Sequence, residues 1–491
     1  MSSDIKLTQS RVTEEALSGR LPLRSSERVY NGYGSFLWTC TAFSAATWAF
    51  LIGGFLPYVG DVRVGVLGYL AGMLIGMAVV VLASGLPSFK YGVEPIDAAK
   101  ASFGPYGIVL PLFGLLATCV GWTYVVVALT ARGAANVLQT VEQSDVATAE
   151  PVVIGLALFT MFAVWLVASK GPWLFERISN YIAPGHILVT VVMFAILLYH
   201  YGAGLWTLQV PVDQRLASTP GQGFALAVEF GISNSLTWWP IMGGLTRLVK
   251  RRSHIVGPSV VGVGVLGAAF ISMVAAFAAL SAGTPDPTIW MIKLAGPALG
   301  SLIMTFVLAA NIATMVIMLY LAGVSIQQIK PLTRVRWDIL IALMLLPGVY
   351  VAFRTEWTLS IVMSWLSYNG VMFVGITGVT FVDYFILRKE TLAPAHLFSR
   401  DPRSKYWFWG GVNWVAVIIS VLSVALYLYL YNPVTTAMHP LAHTLGAGIP
   451  TVVVSGIAYY LIMRMFVIPS GKGGYKQAGS ATTSPEVIPT L

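Results

Sequence analysis

The chain has 491 residues, 57% of them hydrophobic and only 10% charged. Soluble domains carry about 25% charged residues, so this composition excludes an ordinary soluble protein and places the chain in a lipid bilayer. The net charge of +9 then needs a reason other than nucleic-acid binding, and the placement of Lys and Arg supplies one.

Residues 1–34 are polar and basic, with Lys6, Arg11, Arg20, Arg24 and Arg28, and lack the apolar core of a signal peptide; they are expected to form a cytosolic tail. Apolar runs follow at 35–58, 62–87, 106–137, 151–169, 178–201 and 223–249, then at 255–282, 290–327, 334–353, 357–387, 407–431 and 444–468. About 20 apolar residues cross the hydrocarbon, so the pattern predicts an all-α polytopic membrane protein with 12 transmembrane helices and both termini on one side. Cytosolic termini put 24 of the 29 Lys and Arg in inside segments, leaving Arg63, Arg132, Arg215, Lys293 and Arg354 outside. This positive-inside bias assigns the charge to topology in a plasma (inner) membrane, and no nucleic-acid partner is expected. Residues 470–491 are rich in Gly, Ser, Thr and Pro and are expected to be disordered. Cys40 and Cys119 both lie inside apolar runs and define no disulfide framework.

The first and sixth runs share a motif. Thr47-Trp48 precedes Gly53-Gly54, and Thr237-Trp238 precedes Gly243-Gly244, an offset of 190 residues. The same offset carries runs 2, 4 and 5 onto runs 7, 9 and 10. Five helices per copy mean that the second copy enters the membrane from the other face, so a 5+5 inverted repeat is predicted, about 35–201 and 223–387, with runs 11 and 12 outside it (407–468). Small residues precede each Thr-Trp pair, Phe43-Ser44-Ala45-Ala46 and Gly231-Ile232-Ser233-Asn234-Ser235. Both helices are expected to break there, near 44–47 and 233–237, because irregular backbone at membrane depth is tolerated where it lines a cavity.

With these residues in place, the chain resembles the nucleobase:cation symporter-1 family, and within it the cytosine permeases. The resemblance runs from about residue 20 to 465. It rests on Phe43-Ser44-Ala45 with Trp48, Ser102-Phe103-Gly104 with Gly107, Gly121-Trp122, Thr246-Arg247, Asn311, Val382-Asp383-Tyr384-Phe385 with Arg388, and Gly411 with Asn413. It implies a leucine-transporter-like fold that carries nucleobases, hydantoins, allantoin or similar heterocycles by alternating access, commonly with a cation.

The resemblance also implies site residues. Trp122 would stack on a flat ring, and Asn311 would offer a donor and an acceptor to its edge. The family's second stacking aromatic falls on Ser235, so Trp238 or Trp239 one turn later, or hydrogen bonds from Asn234, Ser235 and Thr237, would replace it, with Ser44 at the first break. Cys119 stands where cytosine permeases carry a glutamine. The sodium site of sodium-coupled relatives maps onto Thr39, Ala42, Phe306, Ala309 and Ala310, where two alanines replace hydroxyls, so sodium coupling is not expected. Glu229, an intramembrane carboxylate, is the candidate proton carrier. A proton is then the coupling ion to test, and no other cofactor is expected.

Other signals carry less. Gly262-Val263-Gly264-Val265-Leu266-Gly267 fits a dinucleotide fingerprint but lies inside an apolar run and is expected to be a packing surface. Gly471-Lys472 lacks the rest of a phosphate loop, which leaves transport secondary. His439 and His443 lack a third metal ligand nearby. Among the histidines only His186 is central, and it has no Ser or Asp partner in a known catalytic pattern, so an intramembrane enzyme is the weaker alternative, as are a channel and an uncoupled facilitator. The expected partners are a small heterocycle and the bilayer, and a monomer is expected.

Overall fold

A computed structural model describes residues 21–170, 173–327 and 329–475, and helices occupy all twelve apolar runs, here called spans 1 to 12. Among the described residues eight helices are long and apolar enough to cross a bilayer unaided, and the bent pair Tyr33–Ser44 with Thr47–Val59 makes a ninth. Shorter pieces fill the other three spans: Pro220–Leu236 with Trp239–Thr246, Trp337–Leu345 with Gly348–Ala352, and Trp414–Leu430.

The two predicted breaks differ. Span 1 turns by 66° because Ala45 and Ala46 leave the helical region, with φ/ψ of −71°/93° and −149°/170°. Among the described residues no side chain caps the N-terminus at which the helix resumes, so backbone N–H groups are left over at the break. Span 6 is interrupted only at residues 237 and 238, both with right-handed backbone, just before Pro240, which lacks the N–H to continue the ladder. Residues 233–235, expected to unwind, stay helical. Their small side chains serve close packing: a Cβ on Gly231 would stand 2.4 Å from the Tyr69 carbonyl, and one on Gly76 2.5 Å from Ser235 Cβ.

Packing respects the exchange of the two halves. Span 2 lies along span 6 and span 7 along span 1, contacts that interchange when the copies are swapped, and span 3 lies along span 8, a contact that maps onto itself. Gly262 and Gly267 receive span 1 at Cys40 and Ser44, the packing surface expected of that glycine run.

One boundary is corrected. Residues 287–295 form a separate helix and span 8 begins at Pro297, because Gly296 turns the chain with φ 80° and ψ 166°. This second connecting helix, Pro287–Ala295, has a counterpart in the first copy, Pro95–Phe103, which ends at Gly104 with φ 83° and ψ 165°. The first connecting helix lies on the face that carries the termini, here the basic face, and the second on the opposite face.

Of the two expected tails, residues 1–20 and 476–491 lie outside the described residues. Nearer the bundle both ends are docked. The Arg28 guanidinium donates to the Phe89 and Val249 carbonyls at 2.6 and 3.1 Å, and the Tyr475 hydroxyl donates to Asp383 at 2.5 Å.

Candidate substrate site

The site grows from the break in span 1. Where the helix resumes, Thr47 and Trp48 are its first residues. The Trp48 ring meets Trp122 of span 3, centroids 6.0 Å apart at 50°, and both are nearly fully buried. Gly121 beside it carries no side chain because the Trp365 ring of span 10 fills that space, 2.1 Å from where a Cβ would be. One residue back along span 1, the Thr47 hydroxyl donates to Asn311 Oδ1, while Asn311 Nδ2 donates to the Thr130 hydroxyl at 3.0 Å. Asn311 therefore ties spans 1, 3 and 8 together at the level of the break. A primary amide has two N–H donors and two acceptor lone pairs, so one of each stays available to a ligand.

Trp122 and Asn311 are thus brought together, through Thr47 and Trp48. Four of the remaining sequence candidates hydrogen-bond elsewhere. Asn234 Nδ2 donates to the Tyr69 hydroxyl at 2.8 Å and the Ser235 hydroxyl to the Met73 carbonyl at 3.3 Å, both toward span 2. The Thr237 hydroxyl closes on the Asn234 carbonyl at 2.6 Å, and the Ser44 hydroxyl reaches the Val263 carbonyl of span 7 at 3.0 Å. Trp238 and Cys119 are buried. Trp239, its neighbour, stacks on Phe373 at 6.0 Å.

The sodium positions are poor in oxygen. Ala309 is exposed, Ala310 buried, and Thr39 and Ala42 half-buried; the Thr39 hydroxyl is turned back onto the Ser35 carbonyl at 3.0 Å. Phe306 packs edge-on against His186, centroids 5.6 Å apart. Among the described residues no three His, Cys, Asp or Glu side chains gather as a metal site would require.

Glu229 is fully buried and held by four donors. Oε1 accepts from the Tyr427 and Ser233 hydroxyls at 2.7 and 3.0 Å. Oε2 accepts from the Ala447 and Gly448 backbone N–H groups at 2.5 and 2.8 Å. Those two N–H groups open the helix of span 12, so the carboxylate sits at a helix N-terminus, where negative charge is favoured. It fastens span 6 to spans 11 and 12.

Sequence reasoning used Thr47 and Trp48 as markers of the repeat, the break and the family without giving either a role in the site, and passed over Thr130. The first two were visible: a Thr-Trp pair directly after the predicted break has to stand at the restart of the helix. Thr130 carried no signal, since its only mark is a partner 181 residues away.

Two interchangeable halves around a broken first helix, with a tilted tryptophan pair and an amide at the break, are the architecture of a membrane transporter. Comparison with known proteins agrees. Permeases for cytosine/purines, uracil, thiamine and allantoin match residues 29–464, and the chain belongs to that family, which consists of transporters and not enzymes. It is 30% identical over 105 residues to the allantoin permease of Bacillus subtilis (strain 168), a stretch covering 21% of this chain and 20% of the length of that permease. The inward-facing conformation of Mhp1 superimposes with a TM-score of 0.73 at 15% identity, covering 90% of this chain and 93% of Mhp1. The closed conformation of Mhp1, a nucleobase-cation-symport-1 family transporter with bromovinylhydantoin bound, gives 0.67 at 16% identity, covering 91% and 96%. The outward-open state of a Na+-coupled sialic acid symporter gives 0.58 at 14% identity over 90% of each chain. These likenesses establish the fold.

Proposed function

We propose that this transporter carries a nucleobase or a related small heterocycle by alternating access, with its basic face in the cytosol. The observation that carries this reading is the Trp48–Trp122 pair beside the Thr47–Asn311 bond at the span 1 break. Aromatic faces in a dry setting suit a flat, neutral ring. The spare amide groups and uncapped backbone beside them suit its polar edge. The allantoin permease and the hydantoin-bound Mhp1 support a heterocyclic substrate, and the 24 to 5 division of basic residues supports the orientation.

The same site informs coupling. With Ala309 and Ala310 in place of hydroxyls, a sodium ion would be dehydrated without enough replacement oxygens, so we expect sodium-independent transport. Glu229 is committed to spans 11 and 12, and we assign it to fastening the bundle instead of moving protons.

The decisive experiment pairs a thermal-shift panel of purines, pyrimidines, hydantoins and allantoin with uptake into proteoliposomes. Stacking of a base on an aromatic ring is worth roughly 1 to 3 kcal/mol, so Trp122→Ala should weaken affinity about five- to hundredfold in protein that still folds. Unchanged affinity would remove Trp122 from the site. Sodium and pH gradients imposed separately test the coupling. Strong stimulation by sodium overturns the reading of span 8, and a pH response lost in Glu229→Gln but kept in the parent returns Glu229 to proton movement.

A further inference from the structure

Two buried polar atoms close to the site have no hydrogen-bond partner among the described residues: Nε2 of His186 on span 5 and Nε1 of Trp290 on the second connecting helix. Both side chains flank the same ring. Phe50 lies 6.3 Å from the His186 ring, inclined at 31°, and 5.9 Å from the Trp290 ring, edge-on at 68°. His186 and Trp290 are wholly buried, as is Phe50. Phe50 stands three residues beyond Thr47 on the same face of span 1, and His186 also touches Phe306, which precedes Asn311 on span 8. Phe50 therefore lies about one helical turn, ~5.4 Å, beyond Thr47 along span 1, where Trp290 brings the second connecting helix against it.

The chemistry of the two atoms is complementary. His186 Nδ1 lies 3.1 Å from the Ile182 carbonyl. A carbonyl can only accept, so Nδ1 carries the proton and Nε2 is left as a bare acceptor. The indole Nε1 of Trp290 can only donate. Packing alone calls for neither nitrogen, since phenylalanine rings would fill both places, and a buried polar atom left without a partner is unfavourable. One acceptor and one donor around an aromatic ring match the N–H and C=O of a lactam edge together with its flat face.

Building on the transport reading above, we propose that His186 Nε2 and Trp290 Nε1 form a second subsite, which takes the N–H and C=O of a cyclic amide as the second connecting helix closes over it. Closure of that helix then leaves both atoms satisfied only when a lactam is beneath it. Uracil, cytosine and allantoin have such an edge; thiamine does not.

The test uses His186→Phe and Trp290→Phe, which keep a ring and remove the polar atom, in proteoliposomes given uracil, cytosine, allantoin or thiamine. Each substitution should raise the KM for a lactam by about two- to twelvefold, the range of one net hydrogen bond. The maximal rate should hold, and Tm should fall modestly, because His186→Phe also loses the Nδ1 bond to the Ile182 carbonyl and Trp290→Phe leaves a smaller ring in a buried place. N-methylation of the ring should weaken uptake by the parent and matter less in His186→Phe. Unchanged KM in both folded variants overturns the subsite, as does thiamine being the molecule carried. Failure of the parent to take up any of the four overturns the transport reading itself, and the subsite with it.

Discussion

The two connecting helices are the same element in the two copies of the repeat, and they are fastened in opposite ways. Pro95–Phe103 is tied down by a buried hub. Asp383 pairs with Arg388 at 2.7 Å, both almost fully buried, and also accepts from the Ser102 hydroxyl at 2.9 Å and the Tyr459 hydroxyl at 3.0 Å. Arg388 donates on to the Ala101 carbonyl at 2.7 Å and the Gly473 carbonyl at 2.9 Å. A second ion pair, Glu94 with Arg247 at 2.6 Å, joins the start of that helix to span 6; burial pushes the Glu94 carboxyl above the usual carboxylate range, with Arg247 pulling it back. Pro287–Ala295 is held instead by partly exposed contacts. Arg132 of span 3 reaches Asp286 at 3.3 Å and Glu356 at 3.2 Å, and Asn136 donates to the Thr288 hydroxyl at 2.9 Å. Nε1 of its own Trp290 and Nε2 of the neighbouring His186 have no hydrogen-bond partner among the described residues. The fastening makes one copy the anchor and leaves the other as the candidate cover, an asymmetry that the variants below test.

Removing the anchor should have the largest effect. Asp383→Ala leaves the Arg388 charge buried without its counter-ion, and breaking such a pair costs about 3–5 kcal/mol. Thermal unfolding in detergent should show little folded protein or a far lower Tm; a near-parental Tm would mean that the hub does not hold the basic face.

The terminal glycines sharpen the comparison. Gly104 and Gly296 share a backbone conformation that is close to glycine-only, so alanine at either strains the chain by about 1–3 kcal/mol. A Cβ on Gly104 would also stand 2.5 Å from the Gly411 carbonyl oxygen, whereas one on Gly296 meets open space. Gly104→Ala should therefore lower Tm clearly more than Gly296→Ala. Equal losses would show that the basic-face helix is no more tightly enclosed than its counterpart.

These differences show how far the sequence could be read. All twelve spans were legible because length and apolarity decide them, and the span 1 break was legible because small residues precede a Thr-Trp restart. The span 6 break was misplaced for the same reason: small residues that permit unwinding also permit close approach, and the chain does not say that Gly72 and Gly76 of span 2 lie opposite them. The second connecting helix was absorbed into span 8 because Trp290, Met291 and Ile292 read as membrane. Its signal was nonetheless present. Glu94-Pro95 and Gly104-Pro105 recur as Asp286-Pro287 and Gly296-Pro297, 192 residues on. In the site, Trp122 and Asn311 were reached through the resemblance, and Trp48 was in plain view. The surroundings of Glu229 were not legible, since Tyr427, Ala447 and Gly448 are some 200 residues distant and nothing local marks them.

The smallest effect on stability should come from the cover. Arg132 is 23% exposed and its partner Glu356 86% exposed, and pairs of this kind contribute about 0–1 kcal/mol. Arg132→Gln should leave Tm nearly unchanged. Its effect should appear in the population of lifted covers, because the Arg132–Asp286 pair joins span 3 to the start of the cover and is lost when Asp286 moves away. Weakening the closed state by up to ~1 kcal/mol raises the lifted fraction by up to about fivefold. A cysteine placed at Met291, which is wholly buried under the cover, reports that fraction through its labelling by a membrane-impermeant maleimide; the native Cys40 and Cys119 are buried. Labelling should quicken by about two- to fivefold in Arg132→Gln and stay at the parental rate in a variant of the anchor that still folds, such as Ser102→Ala. Faster labelling in Ser102→Ala than in Arg132→Gln would reverse the assignment of anchor and cover.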